Sequence, residues 1–247
     1  MTALLEVVAV SKRFGGVVAN DAVSLGVGAG EIVGLIGPNG SGKTTLFNSI
    51  VGYHPIDGGS IRFRGREISK LRVPQIARLG LLRTFQQTRI YRRMTCLQNM
   101  LISAPDAPEG PIAMFARPAD AAVERAEELL EFVGLYAKRR LRAGDLSFGQ
   151  QKLLEFAMAL MNEPTMLLLD EPTAGINPTL INGLIERLTR ANADLGITLL
   201  VIEHNMRVIM NLAHRIYCLA HGELLAEGRP EEIRNDRRVV DAYLGAH

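Results

Sequence analysis

The stretch GPNGSGKTT at 37–45 constrains this chain more than any other part of it, because of what stands on either side. Before it comes EIVGLI at 31–36, a short apolar run bounded by glycines, as a buried strand would be; after it, a helix is expected from about Gly42 to near Gly52. Gly37, Pro38, Asn39, Gly40, Ser41, Gly42, Lys43 and Thr44 fit G-x-x-x-x-G-K-[ST], a spacing whose mechanism requires that strand and that helix. The small residues let successive backbone N–H groups turn inward around phosphate oxygens at the positive end of the helix dipole. Lys43 adds a point charge toward the β and γ phosphates, and the Thr44 hydroxyl is placed to ligate Mg²⁺, with Thr45 counted beside it in the nucleotide cradle.

The rest of the pattern supplies the sheet that such a loop needs. Residues 4–10 and 22–27 alternate or run apolar like strands, and the turn Asp57-Gly58-Gly59 leads into an expected half-exposed strand over 60–68, where Arg62, Arg64 and Arg66 alternate with smaller or apolar residues. From about 86 to 163 the periodicity becomes helical, broken by Pro105, Pro108, Pro111 and Pro118, with Val123, Ala126, Leu130 and Val133 forming one apolar stripe. Strand character returns at 165–169 and at 197–202, separated by a helix over 178–195 that Asn177 caps, Pro178 opens and Gly196 closes. Buried strands alternating with helices predict an α/β fold with a parallel sheet, interrupted here by a helical insertion.

Composition removes several other classes. Lys+Arg 28 against Asp+Glu 26 leaves a formal charge of +2, which argues against nucleic acid as the main partner. The basic residues are mostly arginine, which suits carboxylate or phosphate pairing but equally reflects composition bias. Two cysteines, Cys96 and Cys218, make a disulfide framework unlikely as a design and favour a reducing compartment. Met1 to Val10 shows no basic region followed by an apolar core and cleavage site, and no run of apolar residues is long enough to span a bilayer, so a soluble protein without a signal peptide is expected.

A second chemical feature is MLLLDE at 166–171, an apolar strand that ends in two carboxylates. Acids at the end of a buried strand need a partner, since an unpaired buried charge is expensive. Asp170 is the natural Mg²⁺ partner, and Glu171, one residue beyond, is placed to act as general base toward an attacking water.

With LSFGQ at 146–150 added to these two features, the chain resembles an ABC-type ATPase subunit. The family signature is usually L-S-G-G-Q, and Phe148 stands in the third place, so any contact that needs a glycine there is in question. Ser147, Gly149, Gln150 and the N–H groups of the following helix form an anion site at a helix N-terminus, which in the family faces the γ-phosphate bound by a second copy across a head-to-tail dimer. By the same resemblance Gln86 reaches Mg²⁺ and the attacking water, His204 is the switch histidine toward the γ-phosphate, and Phe14 stacks on adenine, a structural aromatic being the alternative reading. Residues 174–177 occupy the dimer-contact loop, with Asn177 where aspartate is common.

The resemblance implies a P-loop NTPase core with a mainly parallel sheet, an N-terminal antiparallel β subdomain and an inserted helical subdomain. The whole of 1–247 is then one ABC ATPase domain, with 1–85 and 164–247 as core and 86–163 as insertion. It also implies ATP and Mg²⁺ as cofactors. The implied partners are separate transmembrane permease subunits, docked near 87–99 where Ile90, Tyr91 and Met94 are apolar, a second identical or homologous ATPase, and indirectly a substrate-binding protein. Peripheral placement on the cytoplasmic face of the inner membrane follows. RTFQ at 83–86, EHNM at 203–206 and the tail from Glu232 to Gly245 resemble the ATPases of branched-chain amino acid importers; ATPases of lipopolysaccharide or urea transporters, and a nucleotide-dependent regulatory module, are the competitors. His54, His214, His221 and His247 share no metal-ligand spacing and are read as structural or solvated. The basic run at 138–142 is read as a solvated turn or, alternatively, as a phosphate or lipid contact.

Overall fold

In a computed structural model, which describes residues 3–84, 90–105 and 119–244, two long strands open the chain, β1 (Leu5–Phe14) and β2 (Val17–Val27). They pair antiparallel, and β1 pairs on its other side with β4 (Gly58–Phe63), which turns into the short β5 (Arg66–Glu67), giving a four-stranded sheet in the order β2-β1-β4-β5. The single strand expected over 60–68 is therefore a hairpin. Arg64 and Gly65, both with positive φ, make its turn, which the alternation of arginines conceals in the sequence.

The second sheet has six strands in the order β10-β9-β3-β8-β7-β6: β3 (Ile32–Ile36), β6 (Leu81–Arg83), β7 (Met166–Asp170), β8 (Thr198–Ile202), β9 (Arg215–Ala220) and β10 (Glu223–Gly228). Every neighbouring pair is parallel except β9 with β10. Strands β3, β7 and β8 are buried along their whole length, so they read as continuous apolar runs rather than alternations. The sequence reading leaves β6, β9 and β10 unassigned. β6 is only three residues long, too short to carry a period.

Packing divides the chain into two compact units, Met1–Arg83 with Thr165–Pro172 and Thr189–His247, and Thr84–Pro164 with Thr173–Leu188. The first unit holds both sheets with α1 (Lys43–Ile50), α2 (Val73–Ala77), α7 (Met206–Leu212), α8 (Pro230–Asn235) and α9 (Arg237–Leu244). Leu5, Val10, Leu35, Phe47, Phe63 and Tyr217 share one core there, and Phe47 is fully buried. Truncating a side chain such as Phe47 to alanine costs about 3–5 kcal/mol in a core of this kind.

The second unit holds α3 (Cys96–Ile102), α4 (Asp120–Phe132), α5 (Phe148–Leu160) and the first part of α6 (Pro178–Leu195). The sequence division places 164–247 wholly in the core, whereas 173–188 packs with the helices. The cause is local: Arg187 donates to the carbonyls of Val133 and Gly183, and a Cβ at Gly149 would lie 3.1 Å from Leu180. Among the described residues no helix is long and apolar enough to cross a membrane.

Candidate functional site

Parallel strands deliver their carboxyl ends to one edge of a sheet, and in open α/β sheets that edge is where ligands bind. Leu35 of β3 and Asp170 of β7 both pair with Ile202 of β8, so the segments after β3, β7 and β8 emerge side by side. Those segments are the loop 37–42, the pair Asp170–Glu171, and His204. The sequence features at 37–44, 170–171 and 204 thus lie on adjacent strands, although up to 167 residues separate Gly37 from His204 along the chain.

The loop after β3 is folded around a lysine. Lys43 is 5 % exposed, and its ammonium donates to the carbonyls of Gly37 at 2.8 Å and Pro38 at 2.9 Å and to Ser41 Oγ at 3.3 Å. Burial pushes the Lys43 ammonium below its ordinary pKa, while the nearby Glu171, Cys218 and Asp170 pull the other way. Two glycines make this wrapping possible. Gly42 has φ +97 and a Cβ there would stand 2.2 Å from the Ala19 carbonyl; Gly37 has φ +147 and its Cβ would stand 2.1 Å from the Leu219 carbonyl.

The helix that follows is open at its head. Gly42 caps α1 without a side-chain hydrogen bond, and no acid occupies the first turn. The first N–H groups of any α-helix lack intrahelical acceptors, so those of α1 offer a place for an anion. Thr44 is exposed and Thr45 half-buried in that first turn, and Asn39 and Gly40 are exposed in the loop. This cradle of small residues, amides and one ammonium fits a polyphosphate.

Asp170 is 1 % exposed at the end of β7. Its Oδ2 accepts from Arg83 Nη2 at 2.5 Å, and the same guanidinium also bonds Asn48 on α1. Asp170 Oδ1 is buried with no hydrogen-bond partner among the described residues. An orphaned carboxylate oxygen beside a phosphate cradle fits a hard divalent cation that brings its remaining ligands as phosphates and waters. No group of three His, Cys, Asp or Glu residues that would hold a metal unaided occurs among the described residues.

Glu171 sits next to Asp170 but differs in every respect. Its side chain is 23 % exposed, its backbone is left-handed at φ +49, and Oε1 lies 3.0 Å from His204 Nε2. A non-glycine residue held in that region of backbone space carries strain, as Arg64 and four other residues here also do. The structure brings Lys43, Asp170, Glu171 and His204 together in the first unit; Gln86 lies outside the described residues.

Phe14, expected at a base-stacking position, is 45 % exposed at the end of β1. It meets His54 edge-on at a ring separation of 5.2 Å, with the Lys12 ammonium 5.3 Å from its face. His54 therefore belongs to the same exposed aromatic patch. His214 is structural: its Nδ1 accepts from Ile32 N, and its own N–H donates to the Ile32 carbonyl.

In the second unit, Ser147 caps α5. Its Oγ accepts from Gln150 N and the Gln150 side chain accepts from Ser147 N, so both residues are engaged in closing their own helix. Phe148 is 47 % exposed and its ring lies against Gly175, while Gly149 is buried against Ile176 and Leu180. Asn177 accepts from Thr179 N and Oγ1 at the start of α6.

Three residues around the phosphate loop escape the sequence reading. Asn20 is fully buried and donates to the Gly42 carbonyl, Arg83 holds Asp170, and Tyr243 accepts from Gly37 N at 2.8 Å. Arg83 and Tyr243 fall in the RTFQ and tail stretches that carry the resemblance, but nothing in those stretches points to the phosphate loop. A buried polar residue in a strand, such as Asn20, is the only signal that points to one of them.

The ABC transporter family matches residues 20–174, well over half of the 247 residues. The chain belongs to the ABC transporter family. It is accordingly an ABC ATPase, binding ATP and hydrolysing it. A second match, to the branched-chain amino acid ATP-binding cassette transporter family, covers the tail of this ABC ATPase at 223–247. It is 41% identical over 249 residues to the high-affinity branched-chain amino acid transport ATP-binding protein LivG of Salmonella typhimurium, covering 98% of each chain. In three dimensions it is similar to the ADP conformation of an ATP-binding cassette of an ABC transporter, with TM-score 0.90 and 35% identity over 99% of this chain and 100% of that one. It is also similar to a dimeric post-hydrolysis cassette bound to ADP and Pi, with TM-score 0.78 and 26% identity over 92% and 98%.

Proposed function

We propose that this ABC ATPase powers a membrane importer for branched-chain amino acids. It would act from the cytoplasmic face of the inner membrane, attached to separate permease subunits and supplied indirectly by a substrate-binding protein. The tail match and the near-complete overlap with LivG support that assignment over lipopolysaccharide or urea transport. Two such ATPases, identical or homologous, act as a head-to-tail pair, a reading supported by the dimeric cassette to which this chain is similar. The chain would then be one ABC ATPase domain over 1–247, its helical part made of the insertion 86–163 together with 173–188.

The observation that carries the catalytic reading is the Glu171–His204 contact on the strand edge that also bears Lys43. The amides of 37–45 and the Lys43 ammonium grip the triphosphate, and Phe14 offers its exposed face to the base. Thr44, Asp170 and Gln86 would hold Mg²⁺, which would supply positive charge against the phosphates. Glu171 takes a proton from water approaching the terminal phosphate, and His204 leaves its resting contact with Glu171 to bond the γ-phosphate. Ser147, Gly149 and Gln150 of one subunit close the site of the other.

Glu171→Gln tests this directly. The backbone and shape are retained while the basic oxygen is lost, so ATP turnover should fall by about 10² to 10⁴ with ATP affinity kept. Steady-state phosphate release and equilibrium nucleotide titration measure the two quantities, and near-normal turnover removes Glu171 as the base.

A further inference from the structure

The phosphate loop has a second support that enters from the far end of the chain. Helix α9 (Arg237–Leu244) begins at Asp236, whose carboxylate accepts from Arg238 N and pairs with the Arg238 guanidinium. Val239 is buried on its inner face. Beneath the helix remains an apolar cleft of about 550 Å³, lined by Met206, Met210, Ile233, Val239, Val240 and Leu244 among others. Besides the buried Val239, a polar contact holds the last turn of α9.

That contact is made to Gly37, the first residue of the phosphate loop. Tyr243 Oη accepts from Gly37 N at 2.8 Å, and Lys43 Nζ donates to Gly37 O at 2.8 Å. Gly37 is thus gripped at both polar atoms, one by the tail and one by the catalytic lysine. Its backbone is pressed against the Leu219 carbonyl, in a conformation closed to other residues. Asp241 and Ala242 line, with Pro38–Ser41 and His221, a cleft of about 300 Å³ on the same flank of the loop.

We propose that Tyr243 is a positioning residue for nucleotide binding: its hydroxyl holds the Gly37 N–H, and so keeps the root of the phosphate loop in the conformation that accepts a triphosphate. Without the hydroxyl, a buried N–H loses its acceptor and the Ile36–Gly37 peptide unit is free to rotate. The backbone dihedrals of Gly37 then change, which moves the adjoining Gly37–Pro38 unit whose carbonyl receives Lys43. Burial raises the Tyr243 phenol to about 12, so it remains a neutral hydroxyl at any ordinary pH. The inference rests on reading 37–45 as the triphosphate site.

The test uses the full chain, with Mg²⁺ and the non-hydrolysable analogue AMP-PNP as probe in calorimetry, followed by steady-state ATP turnover. Tyr243→Phe, which removes only the hydroxyl, should weaken AMP-PNP binding about tenfold and raise KM similarly, with kcat within twofold. Tyr136→Phe, on an exposed tyrosine of the other unit, sets the size of a non-specific effect. Coupling is reciprocal. AMP-PNP should therefore slow amide exchange over 237–244 in the parent chain and do so less in Tyr243→Phe. Binding by Tyr243→Phe within twofold of the parent overturns the proposal, as does a Tyr243→Leu variant that binds poorly while Tyr243→Phe binds normally, since that assigns the effect to ring packing. A parent chain that fails to bind AMP-PNP overturns the reading of the loop itself, and this inference with it.

Discussion

Helix α1 starts from Gly42, with left-handed backbone and no side-chain cap; helix α5 starts from Ser147, which exchanges two hydrogen bonds with Gln150. Both heads point amide donors outward, as every helix does, but only the first leaves all of them to a ligand. The first is also stiffened from behind by Asn20, Lys43 and Tyr243, whereas the second is held by residues of its own turn. A loop that must grip a ligand by itself needs rigid backbone and open donors. On the proposed pairing, the head of α5 serves a neighbour's site, and it satisfies its own donors in the single chain.

The strongest way to break this comparison is Gly42→Ala. A Cβ 2.2 Å from the Ala19 carbonyl at φ +97 forces the loop to move, so unfolding free energy should drop by about 2–4 kcal/mol and ATP binding should vanish. Urea denaturation and nucleotide titration read the two effects; a stable, ATP-binding variant means that the loop is pliable and the contrast with α5 is false.

Ser147→Ala sharpens the same contrast with a smaller change. Loss of the cap should cost about 1 kcal/mol and lower the melting temperature by about 2–4 °C. ATP affinity of the single chain should stay unchanged, because Ser147 serves the other subunit's site in the proposed pair. A weakened affinity in dilute protein would place Ser147 at its own chain's nucleotide.

The smallest effect lies behind the phosphate loop and needs alkali to appear. Burial raises the Cys218 thiol to about 11 and the Tyr243 phenol to about 12. In the unfolded chain these groups ionise near their ordinary values, about 8.5 and 10, while in the folded chain they cannot. Their contribution is therefore intact at lower pH and declines as pH rises toward 11 and 12, with a limiting slope for Cys218 of about 1.4 kcal/mol per pH unit. Urea unfolding at a series of pH values from 8 to 11 measures the decline, and Cys218→Ala should flatten its first part.

How far the sequence reveals the site depends on how local each device is. The phosphate loop and the MLLLDE strand are contiguous, so spacing and apolar runs expose them, and Lys43, Asp170 and Glu171 could be named without coordinates. The supports were hidden because each is a long-range pairing. Arg83 meets Asp170 across 87 residues, through a three-residue strand, and Tyr243 meets Gly37 across 206. The fold was legible to a similar degree. The sequence pattern predicts helix α6 with the bounds it has, whereas the hairpin at Arg64-Gly65 reads as one strand, and the start of α6 reads as core although 173–188 packs with the helices.

Arg83 carries a further consequence. By giving Asp170 a permanent counter-ion on one oxygen, it lets the carboxylate lie 1 % exposed before any divalent cation arrives. A zinc finger, lacking such a placeholder, collapses when its ion is stripped. Here the charge of the buried acid is balanced within the polypeptide, so the architecture around Asp170 should stand whether or not the proposed cation is bound.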